Sequence, residues 1–139
     1  MTAKPKTLLL KQYQPQILYP ELDLDLMLAR DSKNISKTCL IDTGCDLPLV
    51  IDSQTYLALG EPEFVKPDNA INVAGNIGLE AASINLDVHF AGQIIPVEAL
   101  ILESEARPII GTPLLKAMCQ LSNTTFSIDF LRSLIFFEK

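Results

Sequence analysis

The chain is poor in the residues that build metal centres and disulfide frameworks. It holds one histidine, His89, and three cysteines, Cys39, Cys45 and Cys119, without Cys-x-x-Cys spacing. A single imidazole cannot complete a zinc set from these thiols, and an odd number of cysteines does not make a closed disulfide framework. Free thiols in a reducing compartment are therefore expected, which gives a cytoplasmic localisation, and neither a metal nor another cofactor is expected. Clusters of basic residues are equally scarce. Lys and Arg stand singly except at Lys4-Pro5-Lys6, and the net charge is −6, so the chain offers no face for nucleic acid or for an anionic membrane surface. Long apolar runs are missing too. Thr7-Leu8-Leu9-Leu10 is too short for the core of a signal peptide, and Pro96 and Glu98 interrupt the apolar residues 94–102, so neither a targeting segment nor a membrane span is expected.

What is present suits one domain with a real core: 139 residues, 48% of them apolar. Residues 1–16 carry Lys, Gln and Pro without a period and read as a flexible N-terminal arm, which leaves 17–139 for the domain. Leu22, Leu24, Leu26 and Leu28 alternate with Asp23, Asp25 and Met27, the period-2 signature of a half-buried strand. Residues 31–34 form a turn cluster, and 35–41 return as a second strand. A short helix follows, with Asp52 or Ser53 as N-cap, Tyr56, Leu57 and Leu59 on its buried face, and Gly60 ending it. Residues 61–69 read as a connection and 71–79 as a hairpin turning at Gly75-Asn76. Ile84, Leu86, Val88 and Phe90 then alternate with Ser83, Asn85, Asp87 and His89, which puts His89 on the solvent face. Residues 94–102 pair back as a more buried strand. Thr112 as N-cap with Pro113 at the first helical position predicts a helix over 113–119. Strands over 125–130 and 134–138 close the chain around a turn at 131–133. About eight short strands and two short helices make this an all-β protein.

The chemistry lies in Cys39-Leu40-Ile41-Asp42-Thr43-Gly44, an apolar strand that runs into an Asp-Thr-Gly loop. An isolated triplet of this kind arises by chance in roughly a few per cent of chains this long, and an ordinary Asp turn would explain it. The context adds weight. A Gly-containing hairpin lies about thirty residues later, and Ile109-Ile110-Gly111 precedes a capped helix about sixty-five residues on. In that order and at those spacings, residues 17–138 resemble the retropepsin-like aspartic proteases, the single-domain relatives of the pepsins.

The resemblance implies a closed β-barrel of the acid protease fold with one or two short helices. It also implies a homodimer acting on peptide or protein substrates, because each subunit of that family supplies one catalytic Asp and the site forms on the two-fold axis. Asp42 matches that Asp, and the chain has no second Asp-Thr-Gly or Asp-Ser-Gly. Two facing carboxylates share one proton and hold a water, so that one takes a proton from it while the other polarises the scissile carbonyl. Thr43 would bond the opposite loop, and Gly44 would allow a sharp turn and close approach to substrate. Asp46 would help bind the substrate backbone. Ala74, Gly75 and Asn76 match the tip of the flap that covers an extended peptide. Ile110 and Gly111 match the second loop, where a small residue packs beneath the active-site strand. From the segments alone, an ordinary surface hairpin and a plain loop leading into a helix explain these last two features as well.

Two positions depart from the family. Cys45 stands where Ala or Ser is usual. It reads either as a small buried filler or as a thiol whose oxidation would place bulk or charge beside the site. Thr112 stands where viral members commonly carry an Arg that braces the loop and the dimer. These departures suit a cellular branch of the family better than a viral one. The competing readings are a catalytically silent dimerisation or peptide-binding module with the same barrel, and a barrel whose cleft takes a small molecule.

Overall fold

Leu22, Leu24 and Leu26 all face inward, as their alternation requires, and the rest of the barrel is assembled around that row. The computed structural model describes residues 7–12, 20–28, 34–73, 76–103, 105 and 107–139. In chain order the elements are β1 (Thr7–Gln12), β2 (Glu21–Met27), β3 (Asn34–Ile41), β4 (Leu49–Ile51), α1 (Ser53–Ala58), β5 (Lys66–Val73), β6 (Asn76–Phe90), β7 (Gln93–Ile101), β8 (Ile109–Ile110), α2 (Thr112–Ser122), β9 (Thr125–Asp129) and β10 (Leu134–Glu138).

Six strands close on themselves in the order β2-β3-β8-β4-β7-β6, because the far end of β6 pairs back onto β2. β5 extends the ring outward from β6, and a separate sheet runs β1-β10-β9. The pairing Leu22 with Cys39 and Leu24 with Lys37 fixes the β2–β3 register, so that Leu22, Leu24, Leu26, Cys39 and Ile41 share the inner face. Ile84, Leu86, Val88 and Phe90 of β6 meet them there with Ile95 and Ala99 of β7. Leu114, Leu115 and Met118 of α2 and Ile135 and Phe137 of β10 pack onto the same core. Each such side chain contributes about 1.5–3 kcal/mol on removal from water.

Two pairings are parallel and join strands far apart in sequence. β8 lies parallel to β3, and β4 parallel to β7, with the two-residue β8 inserted between β3 and β4. The chain leaving β3 must therefore cross the end of β8 to reach β4. The loop 42–48 makes that crossing.

Several local expectations shift. Leu57 is 56% exposed, since the six-residue α1 packs through Thr55 and Leu59, four residues apart, and Leu57 falls between them on the other side. The N-cap of α2 is Gly111 and not Thr112, and the helix runs to Ser122 with Asn123 in a left-handed C-cap. β5 starts at Lys66, inside the expected connection; Pro67 is tolerated there because β5 is an edge strand. Asn76 is the first residue of β6, opposite Val73, so it belongs to the strand and not to the expected Gly75-Asn76 turn; residues 74–75 lie outside the described residues. His89 is half-buried, because β2 pairs with β6 there and sets Asp25 opposite it, and its Nε2 has no hydrogen-bond partner among the described residues. Within the expected N-terminal arm, Thr7–Gln12 forms β1 along β10. No described helix is long and apolar enough to cross a membrane.

Candidate active site

Asp42 sits where β3 ends, and its position is set by backbone before any side chain acts. Its N–H donates to the Ile110 carbonyl at 2.9 Å, continuing the β3–β8 ladder by one residue. The chain then turns tightly, with the Cys45 N–H donating to the Asp42 carbonyl at 3.1 Å. The Asp42 side chain is exposed, and its Oδ1 accepts from the Gly44 N–H at 2.9 Å. One carboxylate oxygen is thus oriented by the loop itself.

The backbone of Gly44 is outside the left-handed region, so the turn itself does not require glycine. A Cβ there would lie 3.3 Å from Asp42 Oδ1, so the missing side chain spares the carboxylate from crowding. Thr43 is exposed beside it and its carbonyl accepts from the Thr112 hydroxyl at 2.6 Å. Asp46 is exposed on the same loop.

The β8–α2 junction clamps the loop from below. Gly111 donates to the Pro48 carbonyl at 3.1 Å, and the Thr112 N–H donates to the Cys45 carbonyl at 3.0 Å. A Cβ on Gly111 would stand 1.7 Å from the Leu47 carbonyl oxygen and 2.8 Å from that of Cys45, so no side chain fits. Ile110 is fully buried in the barrel core. Ile110 and Gly111 therefore act on the site by holding the Asp42 loop, and the Thr112 hydroxyl braces it through Thr43. Reading Thr112 as a helix cap missed this contact, for a hydroxyl can serve either use and only the crossing of loop 42–48 over β8 decides between them.

Cys45 is half-buried and packs with Leu47 and Ile109 against Val50, Leu100 and Leu102, an apolar cluster outside the barrel core. Burial pushes its thiol up from the ordinary value; a weak bond from Sγ to the Leu47 carbonyl at 3.6 Å opposes this, and the Asp42, Asp46 and Glu105 carboxylates add to it. A raised thiol holds less thiolate near neutral pH, which slows oxidation. Among the flap residues, Asn76 opens β6, and Ala74 and Gly75 lie outside the described residues. No group of histidine, cysteine and carboxylate side chains among the described residues could hold a metal ion.

The sequence also gave no sign of an ion pair near the site. Arg107, just before β8, binds Glu21 at the start of β2, across 86 residues of sequence. Neither residue lies in a motif, so only the tertiary fold brings them together.

No protein-family profile matches the chain, and no curated protein does. Solved structures do match. The EIAV protease in complex with an inhibitor superposes with a TM-score of 0.56 at 18% identity, over 85% of this chain and 100% of that one. A retropepsin-like aspartic protease from Rickettsia conorii gives a TM-score of 0.54 at 15% identity, over 99% of this chain and 96% of that one. At these identities the likeness is one of architecture: the chain has the retropepsin fold.

Proposed function

We propose that the chain is an aspartic endopeptidase whose site forms when two copies face each other, each supplying Asp42. The observation that carries this reading is the exposed Asp42 carboxylate, oriented by the Gly44 N–H on a loop clamped by Ile110, Gly111 and Thr112. A carboxylate used only as a turn cap would not need a loop fixed from beneath at four points. Its fold is shared with the two proteases above.

One chain carries a single Asp-Thr-Gly, so a working pair requires a two-fold dimer. Two carboxylates brought together share one proton instead of both ionising. The ionised member takes a proton from a water held between them, and the protonated member donates to the scissile carbonyl oxygen as the water attacks its carbon. The tetrahedral species then collapses as the amine leaves with a proton from the pair. Thr43, exposed on the loop, would bond its counterpart, and Asp46 would accept from the substrate backbone. The β5–β6 hairpin is the element that would close over the peptide and exclude water. Three free thiols suit a reducing compartment.

The test is a peptide-library digest from acid to neutral pH at concentrations where sedimentation shows dimers. Wild type should cleave, and Asp42→Asn should lose at least about a thousand-fold in rate while remaining dimeric. Equally blank digests from both proteins would favour a silent peptide-binding or dimerisation module instead.

A further inference from the structure

The pairing registers define one face of the barrel sheet beside Asp42. Residues directly opposite on neighbouring strands share a face. Glu21 is opposite Leu40, Leu40 opposite Ile109, Ile109 opposite Val50, and Val50 opposite Leu100. This row lies outside the barrel core, and Val50, Leu100 and Ile109 pack there with Cys45 and Leu47 of the Asp42 loop. Leu40 precedes Asp42 by two residues and so points the same way. Arg107, two residues before Ile109, joins the row at its far end, as its ion pair with Glu21 requires.

The pair is unequal. The Glu21 side chain is 9% exposed and that of Arg107 is 40% exposed. More of the Arg107 side chain than of Glu21 is therefore open to a molecule lying along this face. One Arg107 nitrogen, Nη1, bonds Glu21. A guanidinium carries five N–H donors, so donors remain for a second acceptor. Nearer Asp42 the charges are of the other sign, since Asp46 and Glu105 both act on the Cys45 thiol. The Arg107 partner Glu21 stands opposite Leu40, two residues before Asp42. At about 3.3 Å per residue along β3 and about 4.8 Å across to β2, that is about 8 Å, which an extended peptide spans in about two to three residues.

We propose that Arg107 is a specificity-determining residue, and that this face favours peptides with an acidic side chain within about two to three residues of the point held at Asp42. Glu21 orients the guanidinium and lowers its pull. The inference rests on the peptide-site half of the function proposed above, and not on turnover.

The experiment uses three labelled peptide series that share apolar residues and differ only in Glu, Gln or Lys scanned along the sequence. Both cleavage and binding by anisotropy are measured for wild type, Arg107→Gln, Glu21→Gln and the double variant. Wild type should prefer Glu over Gln by about two- to five-fold at one position, the range of an exposed ion pair. Arg107→Gln should remove that preference, read as the Glu-to-Gln ratio within each protein, whereas Glu21→Gln should increase it. The double variant, which leaves no buried carboxylate unpaired, should behave as Arg107→Gln if that single variant folds poorly. A pair that only held β2 to β8 would change stability in these variants and no preference. Cleavage with Glu and Gln treated alike overturns the inference and leaves the protease reading standing. Arg107-dependent binding of Glu peptides without cleavage supports the inference and removes the protease reading. Neither binding nor cleavage overturns both.

Discussion

Among single residues, Cys39 shows how far environment alone moves a side chain's chemistry. It is fully buried on β3 in the barrel core, and its thiol is pushed up to about 12, first by burial and then by the Asp23 and Asp52 carboxylates. Above pH 9 the unfolded chain releases this proton and the folded chain keeps it, so folded stability falls as pH rises from about 9 to about 12. The loss is at most on the order of 1 kcal/mol per pH unit. Urea denaturation of wild type and Cys39→Ala should show the steeper decline in wild type over that window; parallel curves would mean the thiol titrates alike in both states. Cys45, only half-buried, responds less and lies near the site, where its packing with Leu47 and Ile109 argues for a filler.

Among elements, the β8–α2 junction does the most with the fewest residues. β8 has two residues and no room for a side chain after them, because the crossing of loop 42–48 lies directly on Gly111. Gly111→Ala should therefore force the Leu47 carbonyl aside and cost about 1–3 kcal/mol or more, with the Asp42 loop loosened. Thermal melting measures the first, and hydrogen exchange at the Asp42 and Thr112 amides, both bonded across the junction, measures the second. An unchanged melting point would show that the loop is not seated as described. In sequence Thr112 looks like an ordinary helix-start residue, and Gly111 matches the second loop only through the family resemblance; that both clamp the Asp42 loop follows from β8 lying between β3 and β4.

At the scale of the whole molecule, the β1-β10-β9 sheet is joined to the barrel through Ile135 and Phe137 of β10, with Phe126 and Ile128 of β9 packed against the same core. Phe137 of β10 is fully buried, its centroid 4.8 Å from that of Phe90 on β6 and 5.1 Å from that of Phe126 on β9. Offset aromatic contacts of this kind add to the area they bury. Phe137→Ala should cost about 3–5 kcal/mol and lower a single cooperative melting transition. Two separate transitions, with the barrel's unmoved, would mean that the sheet is only an appendage.

The sequence by itself determined which residues of β2 and β6 face inward and where the candidate carboxylate stands. Alternation in 22–26 and 84–90 marks inner faces, and an apolar strand ending in Asp-Thr-Gly marks the candidate site, because both signals are carried by neighbouring residues. Tertiary structure alone decided strand order: β8 between β3 and β4, two parallel pairings, and β6 returning to β2. Those contacts span tens of residues, and their stability comes from burying faces against each other after long loops have closed, which no local pattern encodes. For the same reason the Thr112 brace and the Arg107–Glu21 pair, both long-range, lay outside what the motif could reveal.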